Sequence, residues 1–413
     1  MRVMIVSCVF PPEPVVSART SADLAGALSA RGHDVRVVAP FPNRPAGRIF
    51  PGFRRRWRRR VREQAGYDLV RRFACLSPRS TLFSRLLENV SFGLAGAWEA
   101  LTAARPDVIY ANTWPLLATG LLAAAARWRG IPLVVTVQDV YPESLMSQRR
   151  VNAGGLALRA LCRLDGWIAR QSRMVWVVSR RFEAVYASER GVSADRLHYV
   201  PNWLDERSVT VDPEQSSVWR RARGIPSDAF LCVYGGNVGA AAGVETLVEA
   251  MEQVRGRASC YALIAGAGSR LAACRRRAEA AGNPRILFHS PWPAEETGLV
   301  LGAADLLILP TRGSQARVSV PSKLLAYFLS GRPVVAAAAA DTELAALVSA
   351  GGGWVVAPDD PAALAAAVER ARAESKSCLT ERGARGRLVA LTQFARAAVL
   401  PRAVALLEQA GSG

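Results

Sequence analysis

The residues best suited to binding a phosphate group lie in two short segments of the second half of the chain. In the first, the apolar run Phe230–Tyr234 leads into Gly235-Gly236-Asn237-Val238-Gly239, and a helical pattern follows. Glycines in such a loop let backbone N–H groups approach a phosphate at the start of a helix. A plain tight turn would use the same residues, and the two interpretations carry equal weight.

The second segment runs from Ser319 to Tyr327 and has Pro321-Ser322-Lys323 near its start. A proline suits the beginning of a helix, and in the first helical turn free amides, a hydroxyl and an ammonium can converge on a diphosphate. Lys323 is one of only two lysines in an arginine-rich chain. An ordinary helix cap with a solvated lysine is the alternative, and Arg317 either adds positive charge or is simply exposed.

In the first half, the run Leu133–Val137 is followed by Gln138, Asp139 and Glu143. Ligands of open α/β sheets bind beyond the carboxyl ends of the strands, so these side chains are expected near a cleft. A carboxylate there could contact a sugar or accept a proton from an acceptor. The alternative is that Asp139 caps a turn and Glu143 is solvated.

The loop after the first strand, residues 9–20, should face the same cleft and holds Pro12, Glu13 and Arg19. Arg19 is expected either to position a phosphate or to pair with Glu13. In the second half, a strand ends at His289 beside Pro291-Trp292-Pro293, where a contact with the edge of a base is the hypothesis.

Residues 44–72 are strongly basic, with eleven arginines against Glu63 and Asp68, a local net charge of +9. Aromatic and cationic side chains interleave at Phe53, Arg54, Arg55, Arg56, Trp57, Arg58, Arg59 and Arg60. This mixture suits a membrane interface, where each basic residue gains about 1 kcal/mol from anionic headgroups. No recognisable nucleic-acid motif accompanies it, so we expect no nucleic-acid partner, while a merely solvated face carries equal weight.

The elements that must position these residues are short strands alternating with helical patterns, which predict two doubly wound parallel sheets in an α/β fold. We expect an N-terminal Rossmann-like domain over 1–204, a linker over 205–224 and a second Rossmann-like domain over 225–395. A C-terminal helix over 396–413 is expected to pack back on the first domain. The polar segment 374–387 is expected to connect two helices.

Composition excludes several classes of protein. The chain has 413 residues, half of them hydrophobic, which is too much apolar material for an intrinsically disordered chain. Seven scattered cysteines without a CxxC pair and three distant histidines predict neither a zinc site nor disulfides. The longest nearly uncharged stretch, residues 110–126, is shorter than the ~20 apolar residues of a membrane span. We therefore expect a cytoplasmic protein, soluble or peripheral on a membrane.

The motifs taken together resemble family 4 glycosyltransferases of the GT-B fold, two Rossmann-like domains facing a cleft. The resemblance is to the bacterial O-antigen and exopolysaccharide subgroup, of the colanic acid and N-acetylfucosaminyltransferase type. Nearly the whole chain takes part, and the segments that carry the resemblance are MIVSCVFPPE, FPNRPAGRIFPGF, PDVIYA, VVTVQDVYPES, HYVPNWLD, YGGNVGAAAGVETLVEAM and SVPSKLLAYFLSGRPVVA.

The resemblance implies transfer of a hexosyl or N-acetylhexosaminyl group from a nucleotide diphosphate sugar, usually uridine-linked, with retention at the anomeric carbon. The acceptor implied is a lipid-linked saccharide at the inner face of the cytoplasmic membrane, and no metal is expected. Asp139 and Lys323 would be catalytic. The donor would contact Gly235, Gly236, Asn237, Gly239, Trp292, Arg317, Ser319, Pro321, Ser322, Lys323 and Tyr327. The acceptor side would use Pro12, Glu13, Arg19, Gln138 and Glu143.

The chain departs from the family pattern at the positions of its Glu-x7-Glu pair, which fall on Val318 and Ala326. The ribose must then be held by another group or not at all. Asn237 and Ala242 occupy the region where relatives have Arg and Lys, which shifts the diphosphate charge to Lys323. Two rivals therefore stay open: a catalytically silent GT-B subunit that scaffolds a membrane assembly, and a nucleotide-sugar epimerase of the same fold.

Overall fold

A computed structural model describes residues 1–44, 47–78, 81–113, 115–140, 155–254, 259–313 and 320–412. The chain divides into two compact units, Met1–Trp203 with Val399–Gly413, and Leu204–Ala398. Each unit is a sheet covered on both faces, and strand residues such as Ile5 and Leu231 are fully buried. Strands buried on both faces are apolar throughout, which is why they are readable as short unbroken runs.

The first unit contains an eight-stranded sheet in the order β3-β4-β2-β1-β5-β6-β7-β8, with only the β3–β4 pair antiparallel. Its elements are β1 Arg2–Val6, α1 Val16–Ala30, β2 Asp34–Pro40, β3 Arg58–Arg62, β4 Asp68–Arg72, α2 Leu82–Thr102, β5 Val108–Asn112, α3 Leu116–Trp128, β6 Leu133–Val137, α4 Leu156–Gln171, β7 Met174–Val177, α5 Arg180–Ser188 and β8 Leu197–Tyr199.

The second unit contains a six-stranded parallel sheet in the order β11-β10-β9-β12-β13-β14. Its elements are α6 Pro213–Arg221, β9 Phe230–Gly235, α7 Val244–Gln253, β10 Cys260–Ala265, α8 Leu271–Ala280, β11 Ile286–His289, α9 Thr297–Gly302, β12 Leu306–Leu309, α10 Ser322–Leu329, β13 Val334–Ala337, α11 Glu343–Ala350, β14 Trp354–Val356, α12 Pro361–Ala373 and α13 Lys376–Gln393, after which α14 covers Arg396–Gly411. The predicted fold class, two doubly wound α/β domains, is confirmed.

The segment 205–224 is not the linker that its polarity predicts. Helix α6 begins after Asp212, whose carboxylate accepts hydrogen bonds from the backbone N–H groups of Glu214 and Gln215. Trp219 anchors the helix in the core of the second unit, and this single large apolar residue gave too little periodicity to predict a helix. Residues 374–387 are likewise mostly helical. Gly383 and Gly386 let α13 lie close against Gly331 and Phe328.

The end of the chain belongs to the first unit from Val399 onward. Val404 and Leu407 are buried among strand residues of that unit. The Glu408 carboxylate accepts a hydrogen bond from His33 Nε2 at 2.7 Å and pairs with Arg31 Nε at 3.0 Å, so His33 has a structural role. Within the described ranges, no helix combines the length and apolarity needed to cross a bilayer.

Candidate functional site

Two glycine loops lie side by side beyond the carboxyl ends of β9 and β10. The Gly236 N–H donates to Ala265 O and the Val238 N–H donates to Ala267 O, each at 2.9 Å, so the pairing continues past the strand ends. These two amides are therefore already engaged. In the part of the chain that the structure describes, the Asn237 and Gly239 amides have no carbonyl partner and stay available to a ligand.

Glycine is required at two points where these loops meet other groups. Gly236 has φ +146°, and a Cβ there would lie 2.3 Å from Lys323 Cε. Gly266 has φ +132°, and its Cβ would lie 2.0 Å from Gly236 O. The second glycine loop and the stem of Lys323 both lie close to the first loop. These two contacts are possible only because Gly266 and Gly236 lack a side chain.

Lys323 brings a cation to the first glycine loop. Helix α10 begins at Ser322, with Pro321 as its N-cap, and the Lys323 Nζ reaches Tyr234 Oη at 2.8 Å. Burial lowers the pKa of Lys323. No carboxylate within the described ranges pairs with this ammonium. A partly buried cation without a counter-ion, beside free amides, forms a site for an anion.

Two buried tyrosines fix the loop beneath this cation. Tyr234 Oη donates to Asn237 O at 2.6 Å, and Tyr327 Oη accepts from Gly235 N–H at 2.8 Å and donates to Gly235 O at 3.0 Å. Burial raises the pKa of both phenols, so they act as neutral hydrogen-bonding groups. Tyr327, predicted to bind the donor, is buried against the loop, and Tyr234 was missed although it directly precedes Gly235.

Trp292 lies against the same loop, with its ring 2.8 Å from where a Gly235 Cβ would be. Its Nε1 is buried and has no hydrogen-bond partner among the described residues. Asn237 and Ser322 are exposed, and Gly239 caps a short 3₁₀ turn. Arg317 and Ser319 lie outside the described residues.

The histidine that ends β11 is engaged within its own unit. His289 Nε2 lies 2.8 Å from Glu296 Oε2, which also accepts from Trp219 Nε1 at 3.0 Å. The Trp219 hydrogen bond, with His289 and Arg223, lowers the pKa of Glu296. This carboxylate holds α6 to the segment after β11, so the geometry favours a structural role for His289.

At the carboxyl end of β6 the structure places a neutral amide pair and an isolated acid. Gln138 and Asn202 exchange hydrogen bonds between their side-chain amides at 3.2 and 2.8 Å. Asp139 is half-buried and has no hydrogen-bond or ion-pair partner among the described residues, and burial raises its pKa. A desolvated carboxylate at a strand end is the kind of group found at functional sites. Glu143 lies outside the described residues.

Glu13 does not offer its carboxylate to a ligand, and it does not pair with Arg19. It is buried and accepts from the backbone N–H groups of Phe10 at 3.0 Å, Asn43 at 2.9 Å and Arg44 at 2.8 Å. It therefore joins the loop after β1 to the loop after β2. Pro12 and Arg19 are exposed beside it.

The sequence did not single out two polar residues at the carboxyl end of β5. Asn112 and Thr113 are buried, and Asn112 Oδ1 and Thr113 Oγ1 have no partner within the described ranges. Asn112 Nδ2 donates to Ser7 Oγ at 3.1 Å, which ties the ends of β5 and β1 together. The available signal was a pair of polar residues directly after the buried run Val108–Ala111.

The arginine segment folds in part as the β3–β4 hairpin, which its sequence did not predict. Arg54–Arg60 are exposed, and Phe53 is half-buried. Arg58 pairs with Glu99 at 2.8 Å and Arg60 with Asp68, so these two charges are already engaged. Trp57 stacks on Phe73 with ring centroids 5.8 Å apart, yet 73% of it is exposed.

The described residues contain no cluster of three or more His, Cys, Asp or Glu side chains that could hold a metal ion. Arg312, upstream of the lysine helix, pairs with Asp359 at 3.0 Å and with Glu245 at 3.5 Å. Its charge is therefore neutralised, whereas Lys323 has no ion-pair partner among the described residues.

The fold consists of two doubly wound α/β units, and the second carries glycine loops and Lys323 at the carboxyl ends of its strands. Residues 17–203 match the glycosyl transferase 4-like domain, and residues 229–374 match glycosyl transferases group 1. The chain belongs to the family 4 glycosyltransferases of the GT-B fold.

Three relatives illustrate the similarity. The probable glycosyltransferase WbjE of Pseudomonas aeruginosa is 26% identical over 63% of this chain and 65% of its own length, just under two thirds. WcaI of Escherichia coli, named as a colanic acid biosynthesis glycosyl transferase, is 23% identical over 82% of this chain and 83% of its own. HepE of Anabaena, solved with UDP, has a TM-score of 0.74 and 17% identity over 99% of this chain and 100% of that one.

Proposed function

We propose that this protein is a retaining glycosyltransferase of cell-surface polysaccharide biosynthesis. It transfers a hexosyl or N-acetylhexosaminyl group from a nucleotide diphosphate sugar, most often a UDP sugar, to a lipid-linked saccharide. Relatives named for colanic acid biosynthesis, and the structures of HepE with UDP and with UDP-glucose, support the class of reaction and of donor.

The observation that carries the proposal is the position of Lys323 over Gly236. The lysine stem packs on the glycine, and Tyr234 Oη is the one hydrogen-bond partner of the ammonium among the described residues. Lys323 itself lies in the first turn of α10. A diphosphate placed there would contact the ammonium together with the Asn237 and Gly239 amides. The contact with the ammonium gains strength from the partial burial of Lys323, because charge-assisted hydrogen bonds are strongest away from water.

In this mechanism Lys323 and the loop amides stabilise the negative charge that develops on the leaving diphosphate. The bond from the anomeric carbon to the diphosphate oxygen breaks, and the acceptor oxygen bonds to the same face of the sugar. The diphosphate oxygen takes the acceptor proton, so no strong enzymic base is required. Asp139 orients the acceptor or the donor sugar, and the reaction proceeds without a bound metal.

The first unit would hold the acceptor, and the arginines of Arg54–Arg60 with Phe53 and Trp57 would contact anionic lipid at the inner face of the cytoplasmic membrane. Exposed cations beside an exposed tryptophan support this assignment. Co-sedimentation with vesicles tests it. Binding that ignores anionic lipid content, or that survives replacement of Arg54–Arg60 by glutamine, would refute it.

The central test is Lys323→Ala, with Lys376→Ala as its matched control. Lys376 is the other lysine of the chain and begins helix α13. Loss of a charge-assisted contact should weaken UDP binding by about 2 kcal/mol, roughly thirtyfold, and reduce transfer at least as much. Calorimetry with UDP measures the first effect, and release of UDP from a UDP sugar measures the second. Equal UDP affinity in both variants would contradict the proposal.

Two further measurements refine the donor and the metal assignment. A thermal-shift series with different nucleotide sugars ranks donors, because a ligand that binds the native state raises the melting temperature. Addition of a chelator should leave the transfer rate unchanged. A rate that falls with the chelator and returns with a divalent cation would show that Lys323 does not carry the charge alone.

A further inference from the structure

Helix α2 of the first unit presents an entirely apolar face to solvent. Phe83, Leu87, Leu94, Trp98 and Leu101 recur at helical spacing and are all exposed, Phe83 by 69% and Trp98 by 59%. Residues at these intervals lie one above another on a helix, so they form one continuous stripe. We call this set the α2 stripe.

The charged residues of α2 do not interrupt the stripe. Glu88 and Glu99 are buried on the side that faces the sheet, where they pair with Arg44 at 2.7 Å and with Arg58 at 2.8 Å. Surface helices ordinarily turn their charged face outward, and large exposed apolar patches mark interaction surfaces. Here the two acids of the helix lie inward, and the large apolar side chains of the stripe lie outward.

An exposed tryptophan and a partly buried arginine lie beside the C-terminal half of the stripe. Trp128, at the end of α3, is 86% exposed. Its neighbour Arg129 donates from Nη1 to Ala100 O at 2.8 Å and to Ala103 O at 3.0 Å, which holds the end of α3 next to the end of α2. On the other side, the Arg58–Glu99 pair brings the β3 hairpin, with exposed Trp57, against the same helix.

The positive charge beside the α2 stripe indicates which kind of partner covers it. A second copy of the chain would bring two segments of net charge +9 together, which like-charge repulsion opposes. An anionic lipid surface instead accepts the arginines in its headgroup layer, the tryptophans at the interface and the leucines just below. The surface is a single helix face and not a groove, which suits a bilayer better than a peptide.

We propose that the α2 stripe inserts into the interface of an anionic bilayer and is the apolar anchor of the first unit. This inference rests on the membrane contact in the proposed function, and it moves the anchor from the arginine segment to α2. The arginines then supply long-range attraction, and the stripe supplies the apolar contact that salt does not screen.

The experiment measures partition of the full chain onto vesicles of phosphatidylcholine and phosphatidylglycerol in equal amounts. The test variant combines Phe83→Gln, Leu94→Gln, Trp98→Gln and Leu101→Gln, all at exposed positions where the fold is little affected. The matched control combines Val218→Gln and Leu388→Gln, which are exposed apolar residues of the second unit, 52% and 61% exposed. Far-UV circular dichroism and the thermal melting temperature, measured in parallel, report whether each variant is folded.

We expect the stripe variant to lose vesicle partition by more than a hundredfold, and Trp98→Gln alone by about tenfold, while the control variant partitions as wild type. Tryptophan emission of the wild type should be quenched by brominated acyl chains, and the quenching should be smaller in Trp98→Gln. Partition of the stripe variant equal to wild type would overturn the inference. So would light scattering that shows a wild-type dimer dissociated by the stripe variant, which would identify a self-association surface.

The outcome is separable from that of the proposed function. If Lys323→Ala retains UDP binding but the stripe variant loses vesicles, the transferase mechanism fails while the anchor stands. If Lys323→Ala loses UDP binding and the stripe variant keeps vesicles, the anchor fails while the transferase stands.

Discussion

The carboxyl edges of the two sheets are built from opposite chemistry. In the second unit the edge consists of glycine loops, free amides and the Lys323 ammonium, held by neutral phenols. In the first unit it consists of the half-buried acid Asp139, the Gln138–Asn202 amide pair and the unpartnered oxygens of Asn112 and Thr113 within the described residues. One edge donates hydrogen bonds and positive charge, whereas the other mainly accepts.

In the proposed function, this difference lets one architecture serve two kinds of ligand. A diphosphate needs donors and a cation, and backbone amides can reach it only where side chains are absent. A sugar hydroxyl needs acceptors that point at its proton, and a carboxylate or an amide oxygen supplies them. In each unit the sheet positions the groups at its carboxyl edge in the same way. The loop residues decide which ligand each edge suits.

Gly266→Ala should have the largest effect on stability and UDP binding, because it disrupts the paired glycine loops at the carboxyl edge of the second unit. The new Cβ would lie 2.0 Å from Gly236 O at φ +132°, so the two loops must separate. We expect the free energy of unfolding to fall by about 3 kcal/mol, with loss of UDP binding. Chemical denaturation measures the loss. Gly282→Ala, where φ is +58° and no atom lies within 4 Å of the new Cβ, should reduce stability by only about 1 kcal/mol.

Asp139→Asn tests the accepting edge. Loss of the carboxylate should lower kcat/KM about a hundredfold while leaving UDP affinity unchanged. Burial raises the pKa of Asp139, so its ionised form opposes folding at neutral pH, and the variant should melt at a higher temperature than wild type. As pH falls through the raised pKa, wild type becomes protonated and the difference in melting temperature should shrink.

The control for that prediction is Asp34→Asn, at an exposed position of the same unit. It should change neither activity nor the melting difference with pH. If Asp139→Asn is more stable than wild type and keeps full activity, the Asp139 carboxylate destabilises the fold and takes no part in the reaction. The contrast between the two sheet edges would then be lost.

Glu13→Gln tests whether Glu13 stabilises the fold of the first unit or takes part in the reaction. Its carboxylate accepts three backbone hydrogen bonds, and an amide can replace only part of them. We expect the free energy of unfolding to fall by about 2 kcal/mol while kcat/KM of the remaining folded enzyme stays near wild type. A large drop in kcat/KM without loss of stability would show that Glu13 acts at the acceptor site and not as a structural group.

The smallest expected effect is the pH dependence of UDP affinity. Burial lowers the pKa of Lys323, and diphosphate binding requires the charged form, so affinity should decline as pH rises through a value below that of an ordinary lysine. Calorimetry across the alkaline range measures it. The arginine of Lys323→Arg keeps its charge throughout this range, so the UDP affinity of that variant should depend less on pH. If the affinities of wild type and variant fall in parallel, a group other than Lys323 titrates.

The sequence predicted the glycine loop at Gly235–Gly239, the start of α10 near Pro321 and most strands, because these signals are local. It did not predict the β3–β4 hairpin, since an arginine-rich run lacks the alternation by which a half-buried strand is recognised. Nor did it predict the burial of Glu13, whose partners lie about thirty residues away in Asn43 and Arg44. Arg317, Ser319 and Glu143 lie outside the described residues and stay predictions.

The order of apolar runs and turn residues by itself determined two doubly wound units and the kind of chemistry at each strand end. Those features depend on neighbours within a few residues. Only the tertiary structure decided that Lys323 meets Gly236, that Tyr234 joins them, and that the α2 stripe faces outward. A contact between distant residues depends on strand order and register, and a helix rich in apolar residues does not reveal in its sequence which face the sheet will cover.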